Sequence, residues 1–331
     1  MLDLSQLTVV ILTYNSGATI RECLDSLVAQ QFQDFEVIIV DDDSEDQTLS
    51  VVSEFSSRMK LSVIRNGAHN IPRGRNIGIG AAQTDVVAFL DSDDCAAPNW
   101  TQAIIDAFSA HPQTALIGGQ LQPAYRTAVA HAIAMNDHAI RRLFLGGLLQ
   151  FCAGNSAVNL QALQEVRYNE EFKFGEDLEL ATRLTGPDSK RYVSDMIIYQ
   201  HSRTTLPQYA KQMYRYGYMK MWVSFVARSF RLLDFAPLVL LIAGAIASVV
   251  LETWWPVLLN IPFALAEAIF VSVYQRCPAR IAVLTFPAWL VKNMAWSVGI
   301  TFGLAALVIN VDARRIVRSE PRQNETARAR A

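Results

Sequence analysis

The feature that most constrains the fold is a pattern repeated along the first half of the chain, in which short apolar runs end in polar residues and a helical pattern follows. Apolar runs without alternation are typical of strands buried on both faces. In residues 17–30, by contrast, apolar side chains recur every three or four positions, as on one face of a helix. Strands that alternate with helices predict a parallel sheet covered on both faces, which is an α/β fold. The predicted strands are residues 7–15, 35–44, 61–66 and 85–93.

Polar side chains are concentrated where these predicted strands end. Ligands of open α/β sheets bind beyond the carboxyl ends of the strands. Because these ends meet at one edge of a parallel sheet, the sequence predicts a binding site at that edge. The polar strand ends are Thr13-Tyr14-Asn15, Asp41-Asp42-Asp43, Asn66 and Asp91-Ser92-Asp93.

The last of these ends places three carboxylates within four residues, because Asp91, Asp93 and Asp94 follow a buried strand directly. Like charges this close repel each other, so water or a cation must stabilise them. Carboxylates suit Mg²⁺, which is typically shared with substrate phosphates, and Mn²⁺ is similarly suited. The D-x-D pattern therefore predicts a site for Mg²⁺ or Mn²⁺, although an isolated D-x-D is more often a solvated loop.

Composition excludes some classes of function and favours a location. The chain has 331 residues and a net charge of −2, so it is long enough for two units and its charge gives no reason to expect a nucleic-acid partner. The N-terminal pattern favours a first strand over a secretory signal, which would need a basic segment. The cysteines are scattered without a C-x-x-C pair, which favours reduced thiols in the cytoplasm and argues against a thiolate zinc site. They are Cys23, Cys95, Cys152 and Cys277.

The second half of the chain predicts a membrane region. A domain over residues 1–205 is followed by an amphipathic, interfacial helix region over 206–234, a mostly apolar region over 235–311 and an Arg-rich tail over 312–331 that we expect to be disordered. The apolar region predicts two or three membrane-embedded helices. The positive-inside rule would keep the tail cytoplasmic, which conflicts with three simple spans, so the topology stays open. The candidate spans are residues 235–251, 254–274 and 281–310.

The ordered motifs of the first 217 residues resemble the family 2 glycosyltransferases with the GT-A fold. The resemblance implies a Rossmann-like GT-A domain that uses a nucleotide-diphosphate-sugar donor with Mg²⁺ or Mn²⁺. It rests on "VVILTYNSGATIRECLDSLVAQQFQDFEVIIVDDDSEDQT", then "GRNIGIGAAQTDVVAFLDSDD", then "AGNSA" and "GEDLELATRL".

The resemblance also implies which residues bind the donor. Tyr14 would stack near the nucleotide base, and Asp42 would accept a hydrogen bond from the base or ribose. Asp93 would hold the cation that bridges the diphosphate, with Asp91 beside it. In isolation, Tyr14 and Asp42 would instead suggest a strand-end cap and a turn. The nucleotide-sugar-binding set so implied is Tyr14, Asn15, Asp42, Arg75, Asp91 and Ser92, and the metal-binding set is Asp93 and Asp91.

Asp177 of the "GED" motif resembles the catalytic base of the family, with Glu176 as its helper. An inverting transfer needs a carboxylate that takes the proton of the acceptor hydroxyl. Acids in the first turn of a helix also stabilise the helix N-terminus, and the two roles are compatible.

On the acceptor side, Gly154 and Asn155 would line the pocket for acceptor and donor sugar. His201 follows a strand where related enzymes often carry a histidine near the diphosphate or metal, although a lone histidine is as often structural. The segment "KQMYRYG" resembles a Q-x-x-R-W element, with Tyr216 in the Trp position. Gln212 and Arg215 would then contact acceptor or diphosphate, or would only lie on an interfacial helix.

The sequence therefore predicts an inverting glycosyltransferase at the inner (plasma) membrane, with its catalytic domain in the cytoplasm. Its acceptor would be a polyprenyl-linked saccharide or polyprenyl phosphate, and other glycan-assembly proteins are possible partners. A processive polysaccharide synthase and a non-catalytic nucleotide-sugar-binding scaffold are the alternatives. A nucleotidyltransferase would need a Gly-rich phosphate loop near the N-terminus, which "LTYNSGATI" is not.

Overall fold

A computed structural model describes most of the chain up to residue 309, and the predicted Arg-rich tail lies outside the described residues. The residues group into two compact units, Met1–Tyr209 with Phe263–Trp289 and Ala210–Pro262 with Leu290–Ala331. The described residues are 2–124, 127–139, 151, 154–164, 166–172, 175–184, 186, 188–201, 203–226, 230, 232–253 and 258–309.

The first unit is built on an eight-stranded mixed sheet with the order β3-β2-β1-β4-β7-β6-β8-β5. The first four strands pair in parallel, as the sequence predicts. The sheet is then continued by β7, which is antiparallel to β4, so the complete sheet is mixed. The strands are β1 (Leu7–Thr13), β2 (Phe35–Asp41), β3 (Leu61–Arg65), β4 (Val86–Leu90), β5 (Asp94–Ala96), β6 (Leu116–Ala124), β7 (Asn155–Asn159) and β8 (Lys190–His201).

Helices cover both faces of this sheet, and each face has its own apolar core. Val9 and Ile11 of β1 pack into one core, and Val10 packs into the other, because successive side chains of a strand point to opposite faces. Residues 46–59 have the sequence pattern of a helix, but they form one only at Thr48–Ser53 and continue as turns. The helices are α1 (Ile20–Val28), α2 (Thr48–Ser53), α3 (Ile71–Ala81), α4 (Trp100–Ala110), α5 (Ala128–Ala139), α6 (Leu160–Leu163), α7 (Glu176–Arg183), α8 (Leu206–Val226), α9 (Ala236–Val250), α10 (Asn260–Tyr274) and α11 (Ala279–Ile309).

In the second unit, helices approach at glycines. A Cβ atom at Gly299 of α11 would collide with the Tyr214 carbonyl oxygen of α8, and one at Gly217 of α8 with that of Trp296. Such close backbone approach at small residues is typical of helices that associate in membranes. An ion pair between Lys220 and Asp234 (Nζ to Oδ2, 3.0 Å) adds a further link within this unit.

One helix among the described residues, α11, is long and apolar enough to cross a membrane. The predicted spans 235–251 and 254–274 correspond to α9 and α10, which are apolar but have 15 residues each. A spanning helix needs about 20 residues. The number of spans and the predicted domain limits stay predictions.

Candidate active site

A cavity of about 480 Å³ opens at the carboxyl ends of β1, β2 and β4. Three parallel neighbouring strands end at this point, so side chains far apart in sequence converge on one volume. Residues that the sequence does not single out also contribute, namely Ser16 and Thr19 before α1 and Ile71 at the start of α3. The lining includes every residue predicted to bind donor or metal, namely Tyr14, Asn15, Asp42, Arg75, Asp91, Ser92 and Asp93.

Asn15 braces two loops at the cavity mouth. Its φ of 49° is in the left-handed region, which asparagine tolerates better than most residues. Its side-chain oxygen accepts a hydrogen bond from the Glu45 amide at 2.9 Å, and its own amide donates to the Ser44 hydroxyl at 3.0 Å. The turn after β1 is therefore fixed to the loop after β2.

The cavity rim presents an aromatic face beside a carboxylate. The Tyr14 side chain is exposed, and its ring meets the edge of His69 with 5.0 Å between centroids. One oxygen of Asp42 accepts hydrogen bonds from the backbone amides of Ala68 (3.1 Å) and His69 (2.8 Å). The other Asp42 oxygen lies 3.5 Å from the His69 Nδ1 atom. An aromatic ring beside an acceptor oxygen can stack on a base and accept one of its hydrogen bonds.

Arg75 lies at the base of the cavity and is only 5 % exposed. Its Nη1 donates a hydrogen bond to Glu176 Oε1, and its Nη2 lies 3.9 Å from Asp91 Oδ1. The guanidinium also lies over the rings of Tyr168 (5.4 Å) and Phe89 (5.9 Å). Burial alone would lower the pKa of Arg75, but nearby acidic groups, of which Glu176 acts most strongly, together outweigh burial and raise it. Arg75 is therefore a fixed cation that joins α3 to the first turn of α7.

The two acids of the GED motif have different surroundings. Gly175 precedes α7 with a φ of 76°, in the left-handed region that glycine adopts without strain. Glu176 is buried, and burial raises its pKa although Arg75 opposes that rise, while the charge of Asp177 adds to it. Asp177 is partly exposed, and its Oδ1 accepts a hydrogen bond from the Leu178 amide at 2.7 Å. Glu176 is thus the internal partner of Arg75, and Asp177 is the more accessible carboxylate.

The three aspartates after β4 form a cluster suited to a hard cation. One oxygen from each of Asp91, Asp93 and Asp94 can be chosen so that all three lie within 4.8 Å of one another. A set of carboxylate oxygens at such spacing fits Mg²⁺ or Mn²⁺. A Cβ atom at Gly154 would collide with the Asp91 carboxyl, so Gly154 leaves the space that Asp91 occupies.

Asp91 differs from an ordinary surface aspartate in its pKa. Burial raises the pKa to about 6, Arg75 opposes the rise, and the charges of Asp93 and Asp177 add to it. The side chain keeps 45 % exposure toward the cavity, so solvent there moderates the effect. A bound cation would favour the ionised form.

The remaining predicted residues lie apart from the cavity lining. Asn155 is buried between strands, where its Oδ1 accepts a hydrogen bond from Trp100 Nε1 (2.8 Å) and its Nδ2 donates to the Met196 carbonyl (3.0 Å). His201 Nε2 lies 3.3 Å from the Glu22 carboxylate of α1. Gln212 and Arg215 belong to the second unit, where Gln212 Nε2 donates to the Tyr216 hydroxyl at 3.2 Å. Their acceptor-side roles stay predictions.

Sequence reasoning missed Tyr168, which supports the site from below. Its ring contacts Arg75 and packs edge-on against Phe89, with centroids 5.6 Å apart. The Tyr168 amide donates to Asn76 Oδ1 at 2.9 Å, which ties this segment to α3. A single tyrosine outside any motif carries no local signal of such a contact.

The mixed sheet, the cavity at the strand ends and the D-x-D cluster define a GT-A-type domain. Residues 8–166 match the family described as "Glycosyl transferase family 2". Over these residues, just under half of the chain, the sequence matches that family, and the match confirms the resemblance seen in its motifs.

Two curated relatives and one solved structure are similar to this chain. Poly(ribitol-phosphate) beta-N-acetylglucosaminyltransferase TarS of Staphylococcus aureus is 38 % identical over 91 residues, covering 26 % of this chain and 16 % of TarS. Chondroitin synthase of Escherichia coli is 33 % identical over 115 residues, covering 34 % of this chain and 17 % of the synthase. The matched segments are thus less than a fifth of either relative.

The solved structure is the mannosyltransferase PcManGT of Pyrobaculum calidifontis, in complex with GDP-Man and Mn²⁺. Its TM-score is 0.59 at 17 % identity, and the match covers 90 % of this chain and 86 % of PcManGT. This likeness confirms the predicted fold.

Proposed function

We propose that the protein is an inverting glycosyltransferase that moves a sugar from a nucleotide-diphosphate-sugar to an acceptor presented at a membrane. One observation carries the proposal. A single cavity brings together the exposed ring of Tyr14, the Asp42 carboxylate, which can accept hydrogen bonds, and the D-x-D aspartates. The charge of Asp177 acts on Asp91 at that cavity. The nucleotide and the diphosphate of a donor would both find partners there, and a catalytic base would lie close by.

The nucleotide would occupy the part of the cavity near Tyr14 and Asp42. The exposed ring of Tyr14 offers a stacking face, and Asp42 Oδ2 can accept a hydrogen bond from base or ribose. The match to the glycosyltransferase family supports a nucleotide-sugar as the donor.

The cation would be held by Asp91 and Asp93, whose oxygens cluster with that of Asp94. When bound, Mg²⁺ or Mn²⁺ neutralises charge that develops on the departing nucleoside diphosphate. Arg203, whose Nη1 lies 3.8 Å from Asp93 Oδ2, brings a second positive charge to this edge.

Asp177 would act as the general base. Glu176 is held by Arg75 through a hydrogen bond, so the first turn of α7 has a fixed position and Asp177 remains the accessible carboxylate. The acceptor hydroxyl loses its proton to Asp177 as its oxygen bonds to the anomeric carbon and the bond to the diphosphate breaks. Glu176 therefore acts as a positioning residue, because its bond to Arg75 holds the helical turn that carries Asp177.

The acceptor would be a polyprenyl-linked saccharide or polyprenyl phosphate. The apolar helices after the family domain, of which α11 is long enough to span, support a location at the inner membrane with the catalytic domain in the cytoplasm. Other glycan-assembly proteins would then be neighbours. The alternatives remain a processive synthase and a non-catalytic scaffold.

The test uses the full chain in detergent with a panel of UDP-, GDP- and dTDP-sugars, polyprenyl phosphate and a membrane-lipid extract. We expect a labelled lipid product that needs Mg²⁺ or Mn²⁺ and disappears with a chelator. Asp177→Asn should lower turnover about 10²–10⁴-fold while retaining donor binding, because only the base is lost. Asp93→Ala should weaken cation binding.

The matched control is Asp188→Asn, since the Asp188 side chain is 75 % exposed and its ion pair with Arg191 is a long one, 3.6 Å from Oδ1 to Nη2. This variant should keep wild-type turnover. One added sugar would indicate single transfer, whereas a ladder of products would favour the processive synthase. Nucleotide binding without turnover on any donor and acceptor would refute the transferase and favour the scaffold.

A further inference from the structure

We propose a second cation site in the first unit, formed by Glu22, Cys95 and His201 and suited to Zn²⁺. Ligand atoms from these three side chains can be chosen that all lie within 4.8 Å of one another. None of the three residues lines the donor cavity, so the proposal does not depend on donor binding.

Three secondary-structure elements place these side chains together. Cys95 is the central residue of β5 and is paired with Tyr199 of β8, and His201 ends that same strand. Since residues two apart on a strand share a face, His201 and Cys95 lie on the same side of this antiparallel pair. Glu22 belongs to the first turn of α1, and its carboxylate lies close to both side chains.

The contact between α1 and β5 is fixed by hydrogen bonds on either side of the cluster. The Ala96 amide donates to the Ser26 hydroxyl at 3.0 Å, and the Cys23 thiol donates to the Asp91 carbonyl at 3.6 Å. The backbone that carries the three ligand side chains is therefore held by the fold. Only rotations of the side chains are needed to bring their ligand atoms around an ion.

The spacing is close to what tetrahedral zinc requires. With Zn–N, Zn–O and Zn–S bonds of about 2.0–2.3 Å, neighbouring ligand atoms lie about 3.3–3.8 Å apart. His201 Nε2 and Glu22 Oε2 are already 3.3 Å apart. The Glu22 side chain is 50 % exposed, so a shift of about 1 Å to close the set meets little resistance.

The ligand types distinguish this cluster from the three aspartates. A thiolate, an imidazole and a carboxylate suit Zn²⁺ and its analogue Co²⁺, whereas an all-carboxylate set suits Mg²⁺ and Mn²⁺. Three protein ligands leave the fourth position to water, and partial exposure of all three residues gives an ion access. A bound zinc ion would join α1 to the strand that directly follows Asp93.

The experiment titrates Co²⁺ into metal-free, full-length protein and follows the near-ultraviolet charge-transfer band of a cobalt–thiolate bond. We expect this band in wild type, its loss in Cys95→Ser, and affinity reduced more than about tenfold in His201→Ala. Glu22→Gln, a substitution on the exposed side of α1, should also weaken binding. Equal amounts of Zn²⁺ should abolish the band, and an excess of Mg²⁺ should not.

The matched controls are Cys277→Ser, which removes a partly exposed thiol elsewhere, and Asp93→Ala, which removes a carboxylate of the aspartate cluster. Both should keep the band, and retained thermal transitions would show that the variants fold. The proposal is overturned by a missing band, by a band that survives Cys95→Ser, or by one that depends on Asp93. That last outcome would assign His201 to the aspartate site. Loss of transferase activity alone decides nothing here, since the band is read without donor.

Discussion

Replacing Arg75 by methionine tests whether this residue holds the active site together or binds nucleotide. The family resemblance implies nucleotide binding, whereas the structure buries the guanidinium against Glu176 and beside two aromatic rings. Both side chains of the pair are at most 7 % exposed, so solvent screens their attraction little. Methionine keeps the packing volume and removes only the charge and its hydrogen bonds.

The expected cost is large because Glu176 would be left buried without its cation. Breaking a buried ion pair by removing one partner costs about 3–5 kcal/mol. For a domain of this size, each kcal/mol lowers the melting temperature by about 2–4 °C, so we expect a fall of about 6–20 °C. Glu176→Gln combined with Arg75→Met should recover much of this loss, since no buried charge then remains.

The pH dependence of this variant has a definite sign. Without Arg75, burial raises the pKa of Glu176 further above its ordinary value of 4.5. The folded variant then holds a proton that the unfolded chain releases. Its stability relative to wild type is therefore greatest at a pH below 4.5 and is lost as the pH rises through the raised pKa.

The assay is a thermal transition of the purified full chain at several pH values, together with nucleotide affinity measured by titration. Arg73→Met is the control, because Arg73 is exposed on the same helix. If Arg75→Met melts like wild type but binds nucleotide diphosphate far more weakly, Arg75 is a nucleotide ligand. The structural argument for Arg75 would then be wrong.

Three further predictions concern the Asp91 carboxylate and the end of helix α7. Gly154→Ala should lower Mn²⁺ affinity about tenfold or more in a direct titration, because its methyl group displaces the Asp91 carboxyl; unchanged affinity would contradict this. Mn²⁺ affinity should fall as the pH drops through about 6, since the raised pKa of Asp91 then leaves that ligand protonated; a flat profile would show that Asp91 is not a ligand. Lys190→Met should destabilise the fold by about 1–2 kcal/mol in a thermal scan, since its ammonium donates to the Ala181 (2.6 Å) and Leu184 (2.5 Å) carbonyls at the end of α7; Lys190→Arg should recover part of that loss.

Local patterns and motifs in the sequence were enough to predict the fold class, the family resemblance and the edge of the sheet at which the candidate site lies. Apolar strand runs and helical periods are local patterns, and they predict an α/β sheet because each element must bury one side. The parallel order of β1 to β4 then brings the strand ends to one edge. Tyr14, Asp42 and Asp93 could therefore be assigned to one cavity without any knowledge of their distances.

Which polar residues face that cavity, and which also pair with side chains elsewhere in the fold, depends on the tertiary structure. Arg75 meets Glu176, Asn155 meets Trp100, and His201 meets Glu22, and in each pair the partners come from elements far apart in the chain. Such pairings depend on strand order and helix packing, which periodicity does not encode. The scattered cysteines likewise gave no sign that Cys95 would lie beside a histidine and a carboxylate, because spacing along the chain reveals only ligands that are close in sequence.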